Sequence, residues 1–210
     1  MADLQALAEA VIGGNKDVAE QISQAAIDEG VKPADIINEG LIAGMAVVGE
    51  RFKNNEFYVP EVLIAARAMQ AGMSLVKPLL TEGEIEAKGR IAIGTVKGDL
   101  HDIGKNLVSM MLEGGGFEIV DLTVDVSPEQ FIAAVNEEGC DGVALSALLT
   151  TTMPSMKDTV DGLIEAGVRD KVKVVIGGAP VTQSYADEIG ADGYAADAAS
   201  AVDKFTELLE

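Results

Sequence analysis

The chain has 210 residues, with 15 Lys plus Arg against 35 Asp plus Glu, a formal net charge of −20, one His, one Cys and no Trp. One Cys excludes an internal disulfide framework, one His with one Cys excludes a structural zinc site of the usual kind, and the charge would repel a phosphate backbone, so nucleic acid is not an expected partner. The length and an apolar share of 48% suit a globular protein with a real core, in one large domain or two small ones.

The first residues, MADLQALAEA, carry acids and no basic stretch, so they do not read as a signal peptide. The longest apolar runs, such as Val143 to Leu149, fall far short of the roughly 18 residues a membrane helix needs. No membrane association is expected, and the expected compartment is the cytoplasm. Leu4, Leu7, Ala8 and Val11 fall on one helical face, and Gly13-Gly14 stops that helix. Asn15 is placed to cap a second helix, with Val18, Ile22 and Ala26 on one face and Gly30 at its end. Pro33 suits the first turn of a third, which carries Ile36, Ile37, Leu41, Met45 and Val48. After a turn at Lys53-Asn54-Asn55, Pro60 opens a fourth, with Val62, Ala66, Met69, Met73, Val76 and Leu80. The expectation is an all-α four-helix bundle, with Met69 and Met73 first of all core fillers.

Thr81 to Gly89 (TEGEIEAKG) is polar and charged and reads as a linker. The expected boundaries are a helical domain 1–82, a linker 83–89 and a second domain 90–210. Beyond it, β-branched runs alternate with helical stretches. The expected strands are Arg90–Thr95, Phe117–Leu122, Gly142–Ala147, Lys173–Ile176 and a short one near Gly193–Ala195. The expected helices cover about 104–113, 128–138, 153–166, 182–189 and 197–209. Gly114-Gly115-Gly116 ends the first of these and turns the chain into the second strand. Alternating strands and helices imply βαβ units and a parallel sheet. Five such units suggest a flavodoxin-like (Rossmann-like) doubly wound fold of order 2-1-3-4-5.

In such sheets ligands bind at the carboxyl ends of the strands. The loop after the first strand holds the only histidine, His101, two residues after Asp99. A carboxylate on one imidazole nitrogen fixes the tautomer and makes the other nitrogen a better metal ligand, or equally a base. No further His or Cys lies near, so a metal here would arrive already held, as in a macrocyclic cofactor. The third strand ends in Ser146-Ala147-Leu148-Leu149-Thr150-Thr151-Thr152, whose hydroxyls suit a ligand or a helix cap. The fourth ends in Gly177-Gly178, which allow close backbone approach or a turn. Neither phosphate-loop pattern, GxxxxGK[ST] or GxGxxG, is present. Cys140 reads as a small core residue.

Taken together, Asp99-Leu100-His101-Asp102-Ile103-Gly104, Ser146-Ala147-Leu148 and Gly177-Gly178, with gaps of 41 and 28 residues, resemble the cobalamin-binding signature D-x-H-x-x-G, S-x-L, G-G. The stretch from Gly98 to Asn106 looks like the same loop of B12-dependent methionine synthase. Phe57-Tyr58-Val59-Pro60 and Ala65-Ala66-Arg67-Ala68-Met69 resemble that enzyme's helical cap. Cap plus B12 domain, with little else, resembles the corrinoid proteins of methanol, methylamine and glycine betaine methyltransferase systems. The resemblance implies His101 as the lower axial ligand of cobalt and Asp99 as the acceptor of the other imidazole N–H. Thr152, six residues after Ser146, would complete the relay. Ser146 and Thr150 would touch the displaced nucleotide tail, and Gly104, Gly177 and Gly178 would give it room. Leu100, Asp102, Ile103 and Leu148 belong to the same cofactor-binding stretches, while Tyr58, Met69 and Met73 would cover the upper face of the corrin.

The implied function is a methyl carrier cycling between Co(I) and methyl-Co(III). It would be loaded by a substrate-specific corrinoid methyltransferase, unloaded by a second methyltransferase onto tetrahydrofolate or a thiol, and restored by a reductive activating protein. Alternatives are a B12-sensing regulatory module and the small subunit of an adenosylcobalamin-dependent mutase. A flavin-binding protein would leave Asp99-x-His101 unexplained. The methyl donor is not encoded in these residues.

Overall fold

A computed structural model describes residues 3–80 and 87–209. Most of the expected linker, residues 81–86, lies outside the described residues. The chain divides into two compact units, one helical and one built on a sheet.

The helical unit begins with α1 (Leu4–Ile12), whose first turn is capped by Asp3: its carboxylate accepts the amides of Gln5 and Ala6 at 3.0 and 3.1 Å. Asn15 does sit at the N-cap of α2 (Lys16–Asp28), yet its side chain makes no capping bond. The third expected helix is continuous from Pro33 to Lys53 but not uniform. A short α3 (Pro33–Asp35) passes into a π-helical stretch, Ile36–Ile42, and then α4 (Ala43–Lys53). The apolar pattern of this stretch does not betray the wider turn. Gly40 and Gly44 admit α1 closely: a Cβ at Gly40 would stand 2.6 Å from Leu7 Cδ2, and one at Gly44 2.8 Å from the Ala8 carbonyl oxygen. The fourth helix, α5 (Val59–Val76), starts one residue earlier than Pro60 suggests, and Glu61 Oε2 accepts the Tyr58 N–H at 3.0 Å. It ends before Leu80 because Pro78 has no N–H to give, and the chain closes in a 3-10 turn, Lys77–Leu79. Leu7, Val11, Ile36, Leu41, Val48 and Val62 are fully buried.

The second unit carries β1 (Arg90–Thr95), α6 (Ile103–Gly114), β2 (Glu118–Asp121), α7 (Pro128–Glu137), β3 (Gly142–Ser146), α8 (Pro154–Glu165), β4 (Lys173–Gly177), α9 (Gln183–Ile189), β5 (Gly193–Ala195) and α10 (Ala198–Leu209). The five strands form one sheet in the order β2-β1-β3-β4-β5, all parallel, as the alternation of elements predicts. Side chains alternate between its two faces. Val143 and Leu145 of β3 and Val174 and Ile176 of β4 join Phe131, Met156, Val160 and Leu163 on one face. Ala144 and Val175 join Ile91, Ile93, Leu112 and Phe205 on the other. Gly94 and Gly142 make room for rings: a Cβ would meet Phe131 Cζ at 2.8 Å or Phe205 Cε1 at 2.7 Å. β2 is shorter than expected because the Phe117 N–H turns back to the Leu112 carbonyl at 3.1 Å, which closes the end of α6. Cys140 is buried, as expected, and burial pushes its thiol up to about 11.

Register fixes what faces the ligand end. Thr95 pairs with Ser146, and Ser146 with Gly177. The last residues of the three central strands therefore stand in one row at the carboxyl edge.

Candidate functional site

The loop between β1 and α6 leaves this edge. Asp99 closes a tight turn by donating its N–H to the Val96 carbonyl at 3.1 Å, and Gly98 makes the turn possible with φ +85°. The Asp99 side chain is fully buried, and both its oxygens are saturated with donors. Oδ1 accepts His101 Nδ1 at 2.7 Å and the His101 backbone N–H at 3.1 Å. Oδ2 accepts the Leu148 N–H at 2.8 Å, the Leu149 N–H at 3.4 Å and the Thr152 hydroxyl at 2.7 Å. Burial alone pushes this carboxyl up. The bonds from Thr152, His101 and Leu148 outweigh that push and hold it well below the usual carboxylate range.

An ionised carboxylate only accepts, so Nδ1 of His101 donates in this bond, and in the neutral ring Nε2 is the nitrogen with a lone pair. The imidazole is half exposed, at 51%. Thr95, fully buried at the end of β1, donates its hydroxyl to the His101 carbonyl at 2.8 Å. Thus the side chain of His101 is set by Asp99 and its backbone by Thr95. The neighbouring surface is apolar and uncovered: Leu100 is 70% exposed, Ile103 80%, Leu148 44% and Leu149 42%. Four large apolar side chains so close to one imidazole suit a flat, largely apolar group.

The expected residues separate into three sets. Asp99, His101, Thr152 and Leu148 come together in the single network above. Ser146 and Gly177 stand beside Thr95 in the strand-end row. Asp102 and Thr150 are exposed, and Asp102 starts α6, where its carbonyl accepts the Asn106 N–H at 2.7 Å. Gly104 faces open space, so room for a ligand exists there. The strain at Gly178 has another origin: at φ +130° its Cβ would lie 1.9 Å from the Ala147 carbonyl oxygen. The close approach of β3's exit requires that glycine whether or not a ligand is bound. Tyr58, Met69 and Met73 belong to the helical unit, where Tyr58 is exposed, Met73 half-buried and Met69 buried.

Residue types alone did not point to Thr95, Leu149, Lys105, Asp121 or Asp125. Lys105 is 2% exposed and its ammonium sits between the two Asp121 oxygens at 2.7 and 2.6 Å, which pins the first turn of α6 to the end of β2. The available signals were a hydroxyl ending an otherwise apolar strand and two acids in Asp121–Asp125, at the same end of the neighbouring strand.

The site fits one axial nitrogen donor to a cobalt macrocycle: one imidazole with a fixed tautomer, an apolar surround and open space at Gly104. A family model described as a B12 binding domain matches residues 89–203, and a second of the same description matches residues 3–77. The dimethylamine corrinoid protein of Methanosarcina barkeri is 47% identical over 207 residues, which cover 98% of this chain and 97% of that one. A corrinoid protein of Desulfitobacterium hafniense (strain Y51) is 41% identical over 212 residues, covering 100% of this chain and 98% of that one. A chain in the crystal structure of the methanol:cobalamin methyltransferase complex MtaBC from Methanosarcina barkeri superposes with a TM-score of 0.84 at 34% identity, over 94% of this chain and 75% of that chain. The chain belongs to the family of B12-binding corrinoid proteins.

Proposed function

We propose that the chain is a methyl carrier whose cobalamin is held through His101, and that the Asp99–His101–Thr152 network tunes that hold. Cobalamin, when bound, would supply a cobalt centre able to accept and release a methyl group. The observation that carries the reading is the fully buried Asp99 carboxylate, which fixes a half-exposed imidazole among exposed apolar side chains.

The chain's own residues do the rest. Asp99 keeps the proton on Nδ1, so Nε2 is the nitrogen offered as ligand. The one hydroxyl proton of Thr152 has two acceptors, Asp99 Oδ2 at 2.7 Å and the Leu149 carbonyl at 2.9 Å, so it can follow changes at the His101–Asp99 pair. It turns towards Asp99 when that group carries full charge and towards Leu149 when His101 draws on it. Leu100, Ile103 and Leu148, exposed beside the imidazole, would keep water from it once covered by the cofactor. Ser146 and Thr150 would touch the cofactor's nucleotide tail, Gly104, Gly177 and Gly178 would give it room, and Asp102 would belong to the same cofactor-binding stretch.

The names of the relatives support a substrate-specific methyltransferase as the loading partner. A second methyltransferase and a reductive activating protein complete the cycle, in the cytoplasm. Among the described residues, no helix is long and apolar enough to cross a membrane. The test is to load the protein with cobalamin, reduce it, and offer isotopically labelled methanol or methylamines with their methyltransferases. Label arriving on the protein-bound corrinoid with one pair, and falling in His101→Ala, is the expected result. Cobalamin bound but labelled by no pair would overturn the carrier reading.

A further inference from the structure

The connection from β2 to α7 departs from the regular ladder beside the His101 loop. Between the pairs Ile93↔Asp121 and Val96↔Val126, β1 advances three residues while its neighbour advances five. The two extra residues make a bulge, a device that re-aims backbone groups next to a site. Two side-chain-bearing residues in it, Thr123 at φ +72° and Asp125 at φ +55°, are left-handed. For a β-branched threonine that conformation is a true outlier. One side-chain and one backbone partner hold it: Thr123 donates its N–H to Asp121 Oδ1 at 2.8 Å, and its carbonyl accepts the Thr95 N–H at 3.0 Å.

The product of this geometry is the placement of Asp125. Its carboxylate Oδ1 accepts the Gly98 N–H at 2.7 Å, and its own N–H donates to the Asp99 carbonyl at 3.0 Å. One residue therefore grips the amide before Asp99 and the carbonyl after it. Asp99 has its side chain buried against Leu148 and Thr152, so a rotation of its backbone would move Oδ1 off His101. The bulge sets one side of that turn and the β3 exit the other.

We propose that Asp125 is a positioning residue for the cobalt ligand: its left-handed backbone and its carboxylate clamp the Gly98–Asp99 turn and so fix the direction in which His101 presents Nε2. The inference rests on His101 being the axial ligand. It makes a distinction that a purely structural role would not. Asparagine tolerates the left-handed conformation and keeps an acceptor oxygen. Glycine tolerates the conformation but has no acceptor.

The test uses the full chain in two states. In the cobalamin-loaded protein, reduced to paramagnetic cobalt(II), electron paramagnetic resonance reads the fraction of bound cofactor that carries an axial nitrogen. In the cofactor-free protein, amide hydrogen exchange is read at Gly98 and Leu148. Asp125→Gly should lower the axial equilibrium about tenfold, as loss of an outer partner of a ligating histidine does, and should speed exchange at both amides. Asp125→Asn should keep wild-type values in both. Wild-type values in the glycine variant, or equal loss in both variants, would overturn the inference. Wild-type protein with no axial nitrogen would instead remove His101 as ligand, and the exchange data would still report on the clamp.

Discussion

Asp99→Asn separates charge and tautomer from shape. The amide must place its oxygen either towards His101 or towards Leu148. With the NH2 on the Leu148 side, it faces two backbone donors that cannot move, at 2.8 and 3.4 Å. With the NH2 on the His101 side, it faces one such donor, at 3.1 Å, and the ring can adapt by shifting its proton from Nδ1 to Nε2. The second arrangement wins. Thr152 then keeps its bond to the amide oxygen, and one backbone N–H loses its partner, which costs about 1–3 kcal/mol. Asp99→Ala, which strands Leu148 and both His101 donors, should cost about 3–5 kcal/mol. The tautomer change has the larger functional effect, because Nε2 now carries a proton and must lose it before it can bind metal. A weakening of about 10–100-fold in axial ligation follows, or about 1.4–2.7 kcal/mol. The assay is chemical denaturation for stability and resonance of the cobalt(II) protein for axial nitrogen. A folded Asp99→Asn protein with the wild-type nitrogen signature would refute the reasoning.

Three more outcomes follow from the same geometry. The Asp99 carboxyl is held low, so its contribution to stability is present above the unfolded value of about 3.9 and is lost as pH falls towards the folded value. The stability difference between wild type and Asp99→Asn should therefore shrink as pH falls below about 4, as read by urea unfolding across the acid range. Gly178→Ala places a Cβ 1.9 Å from the Ala147 carbonyl oxygen at φ +130°. It should cost about 3 kcal/mol or more even without cofactor, and a thermal unfolding curve unchanged from wild type would contradict this. Cys140, buried and pushed up to about 11, should resist a thiol reagent at neutral pH in the native protein and react once denatured.

What the sequence made legible depended on whether side chains or backbone carried the signal. The strands of the second unit were readable because short apolar runs such as Val143–Leu145 and Val174–Ile176 are buried on both faces of a parallel sheet. Asp99, His101 and Thr152, which the structure joins in one hydrogen-bonded network, were legible because their side chains carry the bonds: Asp99 and His101 from their spacing in the loop, Thr152 from the family resemblance. Thr95 and Asp125 were hidden because they act on carbonyls and amides, which every residue has. The π-helical stretch Ile36–Ile42 was hidden because its apolar residues also fit an ordinary helix. Asn15 shows the converse: a good capping residue in the right place makes no capping bond. Gly178 was expected to allow close approach of backbone to a ligand or to make a turn, and the near neighbour the structure shows is the chain's own backbone.

His101 is the only histidine in the chain, which gives the central claim an unambiguous measurement. Protein grown with histidine enriched in the heavy nitrogen isotope, loaded with cobalamin and reduced to cobalt(II), should show its axial nitrogen splitting change from triplets to doublets. That change identifies the ligand as the imidazole of His101. Triplets that persist in fully labelled protein would show that the axial nitrogen belongs to the cofactor's own base, and would contradict the account.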